Sequence, residues 1–185
     1  MSAILQPTAA DYLAQERLSE TKHEYYDGEI FAMSGANAKH NVIVINVGAT
    51  LHQQLKPRPC RVYASDLRVK LATSFVYPDV SVVCGPPRFA DADNLLNPTL
   101  IVEVLSPSTA DHDQGGKFAR YRQLESLQDY VLIEQERVAL LHYHRQDARH
   151  WLLTELFDPE GVLELPGIAC TLAVAEIYAK VFDAD

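Results

Sequence analysis

Pro78-Asp79-Val80-Ser81-Val82-Val83-Cys84 and Leu100-Ile101-Val102-Glu103-Val104-Leu105 are the two runs whose reading decides the fold. Each is short, rich in β-branched residues and bounded by Pro, Asn or Ser, so each reads as a core strand. Each also carries one acid where an acid is unwelcome. A lone buried carboxylate costs several kcal/mol unless it is paired or holds a cation. Two such acids on neighbouring strands point to one shared cation. Strand alternation puts Asp79, Ser81 and Val83 on one face, and Ile101, Glu103 and Leu105 on one face of the second strand. If the strands pair, Asp79 and Glu103 can lie on the same side of the sheet.

Outward from this pair, the pattern is mixed. Thr8 and Asp11 form a capping-box spacing that opens a short helix through about Leu18. Lys22 to Met33 reads as a hairpin around Asp27-Gly28, a favoured type I′ dipeptide. A helix is expected from about Asn37 to Leu55, with Ile43, Val47, Leu51 and Leu55 as its buried stripe. Cys60 to Ala64 and Leu67 to Leu71 read as strands, and Gly85 to Pro98 as a loop. Asp113 is the expected N-cap of a helix from about Gln114 to Ser126. Further strands are expected over Asp129 to Gln135, Val138 to Arg145 and His150 to Phe157, then a helix over Val174 to Phe182. The order implies an α/β (α+β) fold, with a central sheet flanked by helices and an N-terminal helix-hairpin-helix region.

A length of 185 residues fits one domain, 1–185, with a real core. An apolar fraction of 48% and a charged fraction of 22% are those of an ordinary globular protein. No run of apolar residues is long enough to cross a membrane, and the start lacks a signal-peptide pattern. Cys60, Cys84 and Cys170 are far apart and odd in number, so neither a disulfide framework nor a Cys-type zinc site is expected. A cytoplasmic location is the default. The net charge of −9 argues against non-specific nucleic-acid binding over the whole surface. Basic residues nevertheless cluster. Lys56, Arg58, Arg61, Arg68 and Lys70 form one group; Lys117, Arg120 and Arg122 form another. They read either as solvated faces or as a local phosphate-facing patch.

Asp79 and Glu103 offer hard oxygen ligands, which suit Mg²⁺ or Mn²⁺. Such an ion polarises a phosphoryl oxygen and lowers the pKa of a bound water. A cation near the transition-state charge is then wanted. Lys117 is the natural candidate, with Tyr121 one turn further on the same helix face.

These features resemble a known group. An acid after Pro, then an apolar strand with a second acid, then a lysine, is the outline of the PD-(D/E)XK nucleases. The run Pro98 to Thr109, followed by Asp113, Lys117 and Tyr121, is similar to the Uma-two family of bacterial restriction-endonuclease-like proteins, long carried as a domain of unknown function. The resemblance extends through Glu24-Tyr25-Tyr26-Asp27-Gly28-Glu29-Ile30, Ser34-Gly35-Ala36, His40, Asn46 and the Pro78 to Cys84 run, then Ser126-Leu127, Tyr130 and Trp151. It implies a restriction-endonuclease-like core and Mg²⁺- or Mn²⁺-dependent hydrolysis of DNA phosphodiester bonds. Asp79 and Glu103 match the metal-binding acids, and Glu24 matches the acid often carried on an N-terminal element. The simple pattern puts the lysine two places after the second acid, where this chain has Leu105, so the role passes to Lys117. His40, Arg68, Lys70, Arg120 and Tyr121 are expected along the nucleic acid. A homodimer is expected, since cutting two strands is easier for a symmetric pair.

Two other readings compete. A catalytically silent nuclease-fold module would bind nucleic acid or protein without cutting. A two-carboxylate glycosidase is weaker, because no aromatic-rich sugar platform surrounds the acids and Trp151 is remote in sequence. His142 and His144 share a strand face, but no third ligand lies nearby in sequence, so an exposed strand face is expected there. Cys84 is expected in the core, not as a nucleophile.

Overall fold

The computed structural model describes residues 6–33, 35–105 and 116–182. Helix α1 (Ala9–Glu16) opens on the expected capping box. The Thr8 hydroxyl accepts from the Asp11 N–H, and the Asp11 carboxylate accepts from the Thr8 N–H. Strands β1 (His23–Tyr26) and β2 (Glu29–Ala32) form the hairpin. Asp27 and Gly28 both have positive φ, 50° and 102°. Such a turn matches the twist of the strands that it joins.

Helix α2 (Ala38–Leu55) begins at Asn37, whose side chain accepts from the His40 N–H. It buries Ile43, Val47, Leu51 and Leu55, the stripe that the spacing predicts. The strands that follow are β3 (Cys60–Ala64), β4 (Arg68–Lys70), β5 (Ser74–Val76), β6 (Val80–Cys84), β7 (Phe89–Ala90), β8 (Asn94–Leu95) and β9 (Leu100–Leu105). Helix α3 (Phe118–Tyr121) leads to β10 (Asp129–Glu134), β11 (Leu140–Arg145), β12 (Trp151–Leu156), β13 (Val162–Leu165), β14 (Cys170–Ala173) and a last short helix, α4 (Val174–Ile177).

These strands make two six-stranded sheets, ordered β2-β1-β5-β4-β8-β7 and β12-β11-β10-β9-β6-β3, and a β13-β14 ribbon. The second sheet is mixed: β9 and β10 run parallel, while β6 and β9 are antiparallel. All six residues of β9 are buried. That fits a central strand covered on both faces. On one face Val80, Val82, Leu100, Val102, Val104, Val131 and Ile133 pack with the α2 stripe and the β13-β14 ribbon. On the other, Val83, Ile101, Leu105, Tyr130 and Leu132 pack with Tyr26, Val69 and Val76 of the first sheet and with Tyr121. The fold is a mixed α+β core of sheets flanked by helices.

Several local expectations change. The helix expected over Gln114 to Ser126 is only one turn where described, and its expected N-cap, Asp113, lies outside the described residues. Tight turns replace it: Leu124 N–H donates to Tyr121 O, and the Ser126 hydroxyl donates to Pro98 O at 2.8 Å. These bonds bend the chain back toward the start of β9. The C-terminal helix is likewise short. Tyr178 leaves helical geometry, donating its hydroxyl to Glu134 O (2.8 Å) and accepting from Ala139 N–H (3.2 Å). The expected loop Gly85 to Pro98 contains β7 and β8, and buried Asn94 of β8 accepts from Arg68 Nε at 2.9 Å.

The cysteine expectation is also corrected. Cys60 and Cys84, 24 residues apart, stand opposite each other in the β3-β6 register and form a disulfide. Cys170 is a buried free thiol. No helix among the described residues is long and apolar enough to cross a membrane.

Burial gives this core an alkaline limit. It raises the phenols of Tyr12, Tyr26 and Tyr121 well above 10.0, and pushes Tyr77 and Tyr178 up to about 12. A phenol whose folded pKa exceeds its unfolded value stabilises the fold fully below pH 10 and loses that contribution as pH rises through the folded value. Phenolate absorbance is therefore expected to rise steeply above pH 10, together with loss of the near-ultraviolet dichroism. Full ionisation of every tyrosine with that dichroism intact would contradict the assignment.

Candidate active site

The antiparallel register pairs Val80 with Val102, so Asp79, one residue before β6, stands level with Glu103. The Asp79 Oδ2 accepts from the Val104 N–H at 2.7 Å, which locks this acid to the strand that carries Glu103. His40, in the first turn of α2, brings its Nε2 to 3.3 Å from the same oxygen. His40 was expected along the nucleic acid; its ring is largely covered, and its Nδ1 is buried without a hydrogen-bond partner.

Glu103 is 4% exposed and faces the first sheet. Its Oε1 accepts from the Tyr121 hydroxyl at 2.7 Å and from Lys117 Nζ at 3.4 Å. Lys117 Nζ also lies 3.5 Å from Glu24 Oε1. Glu24 comes from β1, where its Oε2 accepts from the Tyr26 hydroxyl at 2.7 Å and its Oε1 from the Tyr77 N–H at 3.1 Å. One ammonium therefore sits between carboxylates from both sheets.

The position of Lys117 follows from how α3 is anchored. Phe118 stacks on Tyr143 at 4.2 Å and meets Trp151 edge-on at 5.3 Å. Tyr121 is fully buried. Arg120 pairs with Asp27 of the hairpin turn at 2.9 Å and lies over the Tyr26 ring at 5.0 Å. Contacts of Phe118, Arg120 and Tyr121 with different elements thus fix the turn on which Lys117 sits. Leu105, where the simple motif has its lysine, is 4% exposed and packs in the apolar cluster between the sheets.

Burial dominates the two tyrosines. It raises Tyr121 well above the usual phenol range, and the charges of Glu103 and Glu24 raise it further. Tyr26 is raised likewise by burial, with Lys117 opposing. Both stay protonated at neutral pH, so both serve as fixed donors to the carboxylates and not as bases.

The remaining expected nucleic-acid contacts are placed differently. Arg68 is 5% exposed, with its guanidinium donating to Asn94 and Tyr77 and paired with Asp93. Tyr121 is 0% exposed. Both side chains are turned into the interior. Lys70 is half-buried with its ammonium 5.8 Å above the Phe75 ring, and Arg120 is held by Asp27.

Sequence reasoning did not single out Tyr26 or Tyr77. Tyr26 carried a usable signal, because residues two apart on a strand share a face, and Tyr26 stands two beyond Glu24. The Tyr77 contact comes through its backbone, which no side-chain pattern reveals. A second cluster was read as an exposed strand face, and that reading is corrected: His142 is buried, and a third polar group, Asp129, lies between His142 and His144.

Comparison with known proteins agrees with this architecture. The model of the Uma2 (Uma-two) family, described as "Putative restriction endonuclease", matches residues 9–175. The "Uncharacterized protein sll1609" of Synechocystis sp. is 39% identical over 161 residues, covering 85% of this chain and 91% of the relative. The "Uncharacterized protein slr1290" of the same organism is 38% identical over 170 residues, covering 91% and 89%. Among solved structures, that of "a putative nuclease belonging to DUF820" from Anabaena variabilis superposes with a TM-score of 0.78 at 19% identity, covering 95% of this chain and 99% of that one. The fold is thus the restriction-endonuclease-like one, and this chain belongs to the Uma2 family.

Proposed function

We propose that this protein is a divalent-metal-dependent endodeoxyribonuclease whose centre is Asp79, Glu103, Glu24 and Lys117. The observation that carries the reading is the Lys117 ammonium between Glu103 (3.4 Å) and Glu24 (3.5 Å), beside the register position of Asp79.

The donor set fits a hard cation. Every carboxylate here is an oxygen ligand, none is more than slightly exposed, and the strand backbone orients Asp79. Asp79 and Glu103 would hold Mg²⁺ or Mn²⁺, and Glu24 meets the Lys117 ammonium that Glu103 also meets. When bound, the ion supplies a water of lowered pKa and neutralises charge on the phosphoryl oxygens. Lys117 Nζ would place a positive charge where the pentacovalent phosphate gathers negative charge. Tyr121 holds Glu103 Oε1, and Tyr26 holds Glu24 Oε2, so neither carboxylate must reorganise as the reaction proceeds. The His40 ring beside Asp79 and the partly exposed Arg120 would meet the DNA backbone. Two copies related by a two-fold axis would present two such centres to the two strands.

One observation favours the silent module as a second reading. Lys117 already neutralises part of the charge that a metal ion would meet. Supercoiled plasmid incubated with the protein decides between them. Conversion to nicked and linear forms in Mg²⁺ or Mn²⁺, abolished by EDTA, is expected. DNA retention without conversion in either ion would select the silent module.

A further inference from the structure

We propose that Asp129, His142 and His144 form a second metal site, separate from the nuclease centre and suited to Zn²⁺ or a similar borderline ion. The three residues lie on adjacent strands. Asp129 stands opposite His144, and Val131 opposite His142, in the antiparallel β10-β11 register. Alternation puts all three side chains on one face. Asp129 is 0% exposed, His142 5%, and the His144 side chain 22%.

Both imidazoles converge on a single oxygen. His142 Nε2 and His144 Nδ1 each lie 2.8 Å from Asp129 Oδ1. The other oxygen, Oδ2, accepts from the Gly167 N–H at 2.8 Å. That backbone bond turns the carboxylate and leaves Oδ1 facing the two rings, the supporting contact that metal ligands ordinarily have. Gly167 is closely fitted: a Cβ there would overlap both Gln128 and the Asp129 carboxylate. Among the described residues this is the one group of His, Cys, Asp and Glu whose three donor atoms all fall within 4.8 Å of one another.

Two imidazole nitrogens and a carboxylate are a Zn²⁺ ligand set, with bonds of about 2.0–2.2 Å and a fourth position for water. Tetrahedral ligands at that distance stand about 3.3 Å apart, so each 2.8 Å contact must open by roughly half an ångström. A small rotation of each ring provides this, and the partly exposed His144 gives the ion a way in. Coordination requires the tautomer with no proton on the facing nitrogens, opposite to the one that donates to Asp129. The preference differs from that of Asp79 and Glu103, whose all-oxygen set suits Mg²⁺.

The two sites are also apart. In the parallel β9-β10 register Glu103 is level with Leu132, three residues from Asp129, or about 10 Å along the strand. Asp129 shares a face with Val131 and Ile133, on the α2 side, whereas Glu103 faces the first sheet. No chemistry assigned to the nuclease centre uses this cluster, so the inference does not depend on that reading.

The test uses the full chain, stripped with chelator and kept in excess Mg²⁺ to occupy oxygen-only sites. Co²⁺ titration should give one equivalent with the strong visible absorption of tetrahedral cobalt, displaced by Zn²⁺. The Asp79→Asn/Glu103→Gln double variant should bind equally. His144→Ala should weaken binding about a hundredfold or more. Should that variant not fold, ¹⁵N imidazole spectra of the wild-type chain give the decision, since Zn²⁺ should shift the facing nitrogens of His142 and His144. Binding that survives His144→Ala unchanged, or neither cobalt absorption nor imidazole shifts at millimolar ion, would overturn the proposal.

Discussion

Plasmid cleavage should fall at least about a thousandfold in Glu103→Gln and in Asp79→Asn, a loss of about 4 kcal/mol of transition-state stabilisation. The amides are preferable to alanine. Glu103 is buried, and its Oε1 takes both the Tyr121 hydroxyl and the Lys117 ammonium. Truncating one partner of a buried pair costs about 3–5 kcal/mol of stability. Glu103→Ala would therefore confuse unfolding with lost chemistry. The glutamine keeps an acceptor for Tyr121 and the volume of the side chain, and removes the negative charge that an ion needs. Asp79→Asn likewise keeps an acceptor for the Val104 N–H. Thermal melting beside the cleavage assay separates the effects: a small shift in melting temperature with cleavage gone is the expected pair of results. A folded Glu103→Gln protein that cleaves at a tenth of the wild-type rate or better would remove Glu103 from the chemistry.

Much of this site is legible along the chain because its determinants are local. The alternation in Val80 to Cys84 and Leu100 to Leu105 sorts side chains to faces, and the two apolar clusters follow that sorting. The spacing of Ile43, Val47, Leu51 and Leu55 marks the helix that covers one face. Asp27-Gly28 needs only two positive φ values to define the hairpin that carries Glu24. What sequence cannot show is register and long-range pairing. Cys60 and Cys84 are 24 residues apart and become neighbours only when β3 pairs with β6. His142 and His144 read as solvent-facing until the β10-β11 register sets Asp129 opposite His144, on the face that His142 shares. Arg68 belongs to a basic-looking run, yet Asn94, Tyr77 and Asp93 draw it inside, and each partner comes from another strand or loop. Helix α3 ends at Tyr121, short of the expected Ser126, because tertiary bonds such as Ser126 to Pro98 outweigh local helix propensity there.

The second large effect concerns Lys117. Lys117→Met keeps a long unbranched side chain and removes the charge, and it should lower cleavage about a hundred- to a thousandfold, the usual scale for losing one preorganised electrostatic group. The side chain is 9% exposed and its ammonium serves Glu103 and Glu24 together, so the position tolerates no general surface explanation. DNA binding should change little, because a buried ammonium contributes little to the phosphate contacts that dominate affinity. This separation of cleavage from binding is what distinguishes Lys117 from a partly exposed residue such as Arg120, whose loss should weaken binding and its salt dependence first. Leu105 supplies the complementary argument. It occupies the motif's ordinary lysine position but packs among Ile101, Tyr130 and Leu132, so Leu105→Lys would bury an ammonium in an apolar cluster. That substitution is expected to destabilise the fold by several kcal/mol and not to restore cleavage to Lys117→Met. A stable Leu105→Lys/Lys117→Met protein that cuts DNA as the wild type does would show that the ammonium can act from either place. Undiminished cleavage by Lys117→Met alone would show that it is not needed at all.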